Sequence, residues 1–541
     1  MADVITPRLV TPRLATPRRG RGRRWSTTVI GAVAGLTALT LTAACSSSSS
    51  GSPSSTGSGS ASGGTISTFV VARTGDIDKL DPALATAFQT VETLGLVYST
   101  LVKTDQNGKI IPDLATAWDT SADGLTVTFT LRSGVSWQDG TPFTSADVKA
   151  SLNRILDQKT GAASRSNLLA VSSIDTPSDT QVVLHLSKPS AAVLRTLTAV
   201  NTSIESAKDI AAGTVGKTPN GTGPFAWKQW DQGQQVVLSA NAKYYGGAPK
   251  IQTLEFRVIP DEASILSGMK AGAFQLGLLS DPGIAQTASG GGFKLVKQAA
   301  LSYHALMLNA RSKTPLANQA VRVAISCAID RDQLVKTAAF GDGKVTGPIT
   351  SPAFSYSDTD GLGCTPGDTA KAKSMLAAAG YPNGFTLNTI VETGEYATAV
   401  AEAQNLQSQL SKIGVTLQLQ QLATSPYVTA WLAANYDAAV ALNGGSYDPY
   451  LMYGRYFTTG GSLAKPAGLD SPTLSDLLNQ GNATSDDAQR QTIYKNLQKQ
   501  LLTESPWVWL FRGDDYYLVS NKANGFTPRP DELLSSLASV S

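Results

Sequence analysis

The clearest alternation of apolar and polar positions runs from Thr126 to Leu131. Val127, Phe129 and Leu131 share one face and Thr126, Thr128 and Thr130 the other, which predicts a half-buried strand. Asp123-Gly124 turns the chain before it and Ser133-Gly134 after it, so Val135-Ser136-Trp137 reads as a short partner strand, ended by Asp139-Gly140 and Pro142. A capped helix is predicted next. Thr144 stands at the N-cap, Asp147 at the third helical position, Phe143 and Val148 can close a hydrophobic staple, and Leu152 and Ile155 continue the stripe. Asp123, Asp139 and Asp147 are thereby assigned to turns and caps, and the stretch reads as scaffold.

The same periodicities predict a strand over Thr65–Ala72 and a helix over Thr90–Val102 with Val91, Leu94, Val97, Tyr98 and Leu101 inward. Strands follow at Thr180–Leu186, Val236–Ala240 and Ile251–Ile259. Near Tyr303 a new strand opens, followed from about Asn318 by a helix that turns Val321, Ala324, Ile325, Ala328 and Ile329 inward. Asp368 caps a helix stopped by Gly380 and Pro382; then come a strand (Phe385–Val391), a helix (Ala397–Ile413) and a strand (Val415–Leu422), the order of a parallel crossover unit. A helix carrying Ile493, Leu497 and Leu501 and a strand Trp507–Phe511 are predicted to return the chain to the first lobe. The roughly 480 residues after Gly64 exceed one core, so two α/β lobes are expected, with the cleft between them as the ligand site.

Composition matters mainly through where the charge lies. Seven of the 44 basic residues and one of the 41 acidic ones fall within residues 1–44, so the remaining body carries 37 against 40, a net −3. The basic character belongs to a leader with Thr-Pro-Arg three times over, and no basic patch argues for nucleic acid. Trp25–Ala44 is uncharged and ends in Leu41-Thr42-Ala43-Ala44-Cys45, an export signal closing on a lipobox; the competing reading is a retained membrane anchor. Thr42 stands where lipoboxes usually have Leu. Ser46–Gly64, almost pure Ser and Gly, is a tether, and two acyl chains on Cys45 would hold the body to the outer face of the membrane. With Cys45 lipidated, Cys327 and Cys364 remain, either as a disulfide, which an oxidising exterior favours, or as buried thiols.

The run from Leu114 to Leu152 resembles the signature region of the family 5 extracellular solute-binding proteins, the peptide-binding receptors of ABC importers. Its L-A-x-x-W, S-x-D-G-x-x-x-T-F-x-L-R-x-G-V and D-G-x-P-F-T-x-x-D-V segments carry the likeness. So do Leu80-Asp81-Pro82, Gly221-Thr222-Gly223-Pro224-Phe225 and the segment ending Ala328-Ile329-Asp330-Arg331. The resemblance implies a class II periplasmic-binding-protein-like fold with an extra subdomain on the first lobe. Lobe I would comprise 65–102, 200–300 and 508–541, the subdomain 103–199, and lobe II 301–507. A hinge near Ala299–Tyr303 and Trp507–Arg512 would close on a solute and present it to a permease with separate ATPase subunits. A monomer without cofactor is expected.

For the ligand, the resemblance places Phe88 and Gln89 on one cleft wall. Peptide-binding members hold the free amino group with an Asp four residues before a proline, and in Leu442–Pro449 that position is Gly445. Either Asp448 or another acid substitutes, or the ligand lacks an ammonium group, since a desolvated ammonium needs a carboxylate. Asn443, Gly444, Gly445, Tyr447, Asp448 and Trp431 are therefore the candidates on the second wall. Aromatic residues (Trp137, Trp431, Tyr447, Tyr450, Tyr453, Tyr456, Trp507, Trp509) leave an oligosaccharide as an alternative. His185 and His304 lie far apart in the chain and give no metal signature. No G-x-S-x-G elbow supports a secreted hydrolase; a solute-sensing lipoprotein would share every feature above.

Overall fold

In the computed structural model, residues 64–541 are described, except Ser312, Gly394 and Glu395. The leader, Cys45 and the tether up to Gly63 lie outside the described residues.

Thr126–Leu131 is a strand whose Val127, Phe129 and Leu131 are buried. Its partners are Ala115–Thr120 and Gln181–Leu186, and with Val171–Ser178 they form a four-stranded antiparallel sheet. Val135–Trp137 does not pair with it. Gly134 and Gly140 take left-handed turns and the Trp137 N–H donates to Thr141 O at 2.8 Å, which folds the segment onto itself with one isolated bridge, Ser136 to Pro142. The helix that follows spans Ser145–Leu156. Asp147 accepts from the Thr144 N–H at one oxygen and from the Ala207 N–H at the other, both at 2.8 Å, so one carboxylate fixes two helix starts.

The first lobe is built on a seven-stranded sheet. Its order is Phe293–Ala299, Asp514–Ser520, Leu276–Leu279, Ile66–Arg73, Ile251–Val258, Gln235–Ala240, Phe225–Asp231. Ile66–Arg73 runs parallel to both its neighbours, and its Phe69 and Val71 pack under Leu94 and Val97 of the helix Phe88–Val97. That helix begins earlier and ends earlier than its periodicity predicts. Tyr98 takes an extended conformation and Val102–Thr104 pairs with Ile110–Pro112 as a ribbon, which takes Leu101 out of the helix.

The second lobe has a six-stranded sheet: Lys344–Val345, Trp507–Arg512, Tyr303–Leu308, Ala438–Asn443, Phe385–Glu392, Val415–Leu422. Phe385–Glu392 and Val415–Leu422 are parallel, joined through the helix Ala399–Ser411. Val321, Ala324, Ile325 and Ala328 of the helix Gln319–Ala328 pack on one face. Tyr303, Tyr453, Trp507 and Trp509 fill the other. Cys327 and Cys364 are joined by a disulfide with 6.0 Å between Cα atoms. Closing a 37-residue separation removes about 4 kcal/mol of chain entropy from the unfolded state.

Trp507–Arg512, split by the sequence reading between the lobes, is one strand of the second sheet, pairing with Tyr303–Leu308. The chain therefore crosses between sheets at Ala300–Ser302 and at Gly513 alone. The crossings lie side by side, with the Ala300 N–H donating to Gly513 O at 3.1 Å. Two short antiparallel strips of backbone joined by one hydrogen bond make a narrow floor, the geometry of a hinge.

Candidate ligand-binding cleft

Above that floor the lobes enclose a cavity of about 420 Å³, with a smaller annex of about 80 Å³ reaching down to His304, Phe511 and Gly513. Its first wall stands at the carboxyl ends of the parallel strands of lobe I, where open α/β sheets place their ligands. Arg73 ends its strand there, Glu92 projects from the next helix, Asp515 opens the strand Asp514–Ser520, and Glu532 comes from the C-terminal loop. Phe88 and Gln89 line the same wall, Phe88 as the first helical residue. Ser302 on a crossing and Tyr396 and Leu442 of lobe II face them.

Arg73 is 2% exposed. Its Nη1 donates to Gln89 O at 3.0 Å and to Glu92 Oε2 at 3.1 Å, and its guanidinium lies 4.5 Å over the Phe256 ring, while Nε and Nη2 have no partner. Asp515 Oδ2 is likewise buried and unpartnered. The three carboxylates titrate high. Burial pushes Glu92 up to about 6 against the opposing pull of Arg73. Burial, then Glu92 and Asp514, push Asp515 up to about 7. Glu532 is raised well above the usual carboxylate range by burial and then by Asp515, Glu92 and Asp531. Glu262 also faces the cavity, but its oxygens are taken by the Ser280 and Asp281 N–H groups at 2.9 and 3.0 Å.

At the floor, His304 stacks on Phe511 at 4.1 Å and meets Tyr396 edge-on at 5.2 Å. Its Nδ1 lies 2.9 Å from Glu402 Oε1, a carboxylate fully buried under the cleft. Glu402 lies 98 positions from this histidine in the chain, so nothing local in the sequence announces the pair. His185 bonds Asp175 on the surface. Among the described residues, no group of three or more His, Cys, Asp or Glu side chains is placed to hold a metal ion.

The remaining candidates fall elsewhere. Asp448 is fully buried, caps the helix Pro449–Phe457 by accepting from the Tyr450 N–H at 2.8 Å, and pairs with Arg490, so it has no oxygen to offer a ligand. Gly445 is pressed against the first crossing, where a Cβ would stand 1.8 Å from Leu301 O; the position is a backbone contact and holds no vacant amine site. Asn443 ends its strand one residue past Leu442, 8% exposed and with an unpartnered Nδ2, and Gly444 faces open space. The Tyr447 ring covers Gly108 in the ribbon turn of lobe I. Trp431 packs edge-on against Tyr456, with centroids 6.5 Å apart.

The aromatic case for a sugar weakens accordingly. Trp137, Tyr453, Tyr456, Trp507 and Trp509 are core residues, and the rings that do line the cavity are Phe88, Tyr396, Tyr516 and Tyr517. Arg73 and Glu92 had a faint signal, a charge ending an apolar strand and an acid within a largely apolar helix; Asp515 and Glu532 had none.

A profile described as "Bacterial extracellular solute-binding proteins, family 5 Middle" matches residues 109–463. The chain belongs to that family. It is 27% identical over 483 residues to the glutathione-binding protein GsiB of Escherichia coli O1:K1 / APEC, covering 85% of this chain and 92% of that one. Among solved structures, the PBP AgaA of A. tumefacien R10 in complex with agropinic acid is similar at 30% identity and TM-score 0.75, over 87% of this chain and 97% of that one. DppA of Helicobacter pylori in complex with the peptide STSA is similar at 25% identity and TM-score 0.74, over 88% and 98%. The two-lobed α/β architecture is thus that of a periplasmic binding protein, and this family 5 member is a solute-binding protein. Among its described residues no helix is long and apolar enough to cross a membrane.

Proposed function

We propose that the chain is the lipid-anchored, extracellular receptor of an ABC importer, capturing a peptide or peptide-like solute by hinge closure for a permease with separate ATPase subunits. The observation that carries this reading is the cavity between two sheets that are joined only at Ala300–Ser302 and Gly513. The named ligands of its relatives, glutathione, the peptide STSA and agropinic acid, support a solute of that size and kind. The anchor rests on Leu41–Cys45; Cys45→Ala is expected to release the protein from cells into the medium, and retention of the variant on membranes would remove the lipid from the proposal.

Closure has a reporter. The Ala192 N–H at the start of a helix in the extra subdomain donates to Asn482 Oδ1 of lobe II at 2.8 Å, and Ser190 Oγ donates to the same oxygen at 3.2 Å. On the other flank Lys297 reaches Asp342 at 2.6 Å and Gln286 Nε2 donates to Phe340 O at 2.8 Å. Contacts that exist only when the lobes touch shift the population toward closure without touching solute. A bound dipeptide is therefore expected to slow hydrogen exchange at Ala192, and Asn482→Ala to abolish that protection and weaken binding by about 5-fold, the worth of one hydrogen bond. Binding with no change in exchange at Ala192 would refute the hinge.

A further inference from the structure

Resting on the cleft as the solute site, we infer that the solute presents a primary ammonium group to Asp515 and Glu532 and, next to it, an oxygen acceptor to the open edge of Arg73. The class is a small amine-bearing peptide of net positive charge.

The requirement can be read from what each buried group lacks. The face of Arg73 is covered by Phe256 and its Nη1 is satisfied, but Nε and Nη2, on a residue 2% exposed, still point at no acceptor. A guanidinium only donates, so the missing partner is an oxygen. Asp515 Oδ2 is buried without a donor, and a carboxylate only accepts. One molecule that supplies both carries a cationic donor beside a carbonyl or carboxylate oxygen, the arrangement at the amino end of a peptide.

Charge selects further. At this wall Glu92, Asp515 and Glu532 face one cation, Arg73, with Asp514 adjacent on the same strand. Neutral hydroxyls could fill hydrogen bonds but would leave Asp515 and Glu532 in the protonated state that burial favours, whereas a bound cation draws them into their ionised form. A solute with more carboxylates than amines, such as glutathione, would bring further acids to a wall that already holds three. The cavity of about 420 Å³ also suits a dipeptide better than a long chain. Unlike the amine-holding Asp of the resemblance, these acids stand on lobe I, so the chain accomplishes amine recognition without an acid at position 445.

The test is calorimetry on the full chain, purified in detergent, with Lys-Ala, Ala-Ala, Glu-Ala and maltotriose as probes, for the wild type, Asp515→Asn and Glu532→Gln. Lys-Ala is expected to bind at least ~10-fold tighter than Glu-Ala, and Asp515→Asn to weaken Lys-Ala and Ala-Ala at least ~10-fold, since both present the same amino end. Thermal unfolding of both variants should stay at or above the wild type, because each replaces a buried acid with a near-isosteric amide. Ionising Asp515 to meet a cation expels its proton, so wild-type affinity for Lys-Ala should rise between pH 5.5 and 7.5 and Asp515→Asn should flatten the rise. Glu-Ala binding as tightly as Lys-Ala, or an Asp515→Asn variant that binds Lys-Ala as tightly as the wild type, overturns the inference and leaves the peptide receptor standing. Maltotriose binding without any dipeptide overturns both. Failure of all three dipeptides to bind overturns the inference.

Discussion

Replacing Asp448 with alanine is expected to destabilise the second lobe by about 4 kcal/mol, without a specific effect on solute affinity in the fraction that stays folded. Asp448 is fully buried and divides its oxygens between two tasks. One accepts from the Tyr450 and Leu451 N–H groups at 2.8 and 3.4 Å, capping the helix Pro449–Phe457. The other holds Arg490, whose Nε donates to Gly481 O at 3.1 Å and whose Nη2 donates to the Tyr494 hydroxyl at 3.2 Å.

Loss of the cap accounts for about 1 kcal/mol. The larger part comes from leaving a guanidinium, 4% exposed at its side chain, without its carboxylate. Asp448→Asn keeps the cap and should cost less. Arg490→Met in the alanine background removes the orphaned charge and should recover about half of the loss, a coupling that urea denaturation of the four proteins would measure. Additive losses in that cycle would show that the two residues do not act as a pair. A single variant of Asp448 that unfolds normally but loses Lys-Ala binding would return this residue to the ligand site.

The contrast between Asp448 and Asp515 explains how far the sequence could be read. Thr126–Leu131 was legible because one face is buried and the other is not, so alternation survives in the residue types. Ala115–Thr120 was not, because as an edge strand it buries little beyond Ala115 and carries no alternation to find. Asp448-Pro449 is a local helix start, and its cap could have been anticipated from the two residues alone. The cleft wall has no such signature. Arg73 and Glu532 stand 459 positions apart and line one cavity only because Ile66–Arg73 and Asp514–Ser520 both flank Leu276–Leu279 in one sheet. The family run around Thr126 identified the fold, yet it lies in the extra subdomain and contributes none of these four charges. Aligning a short loop on Pro449 points to a strand whose Leu442 lines the cavity, but it could not report what the backbone beside Gly445 was packed against.

That packing gives the second large effect. Gly445→Asp installs the acid that the family's peptide binders carry at the aligned position, and it is expected to lose at least ~3 kcal/mol of stability and gain no affinity for amines. A Cβ at 445 would stand 1.8 Å from Leu301 O and 2.2 Å from Leu301 C, closer than any non-bonded atoms can come. Leu301 cannot retreat cheaply. Its carbonyl accepts from Thr350 Oγ1 at 2.6 Å, its N–H donates to Pro530 O at 3.1 Å, and Ala300 beside it is bonded to the second crossing at Gly513. The clash therefore reaches both strips of the hinge, and closure should fail along with stability.

Two controls separate this from an effect of charge. Gly445→Ala adds only the offending Cβ and should lose nearly as much as Gly445→Asp. Gly444→Asp adds a carboxylate one residue away, where no atom lies within 4 Å of the new Cβ, and should stay within ~1 kcal/mol of wild type. Urea denaturation and Lys-Ala calorimetry on the three variants decide the matter. A stable Gly445→Asp that binds Lys-Ala more tightly than the wild type would mean that Leu301 yields and that position 445 does face the solute, and it would move amine recognition from Asp515 and Glu532 to the opposite lobe.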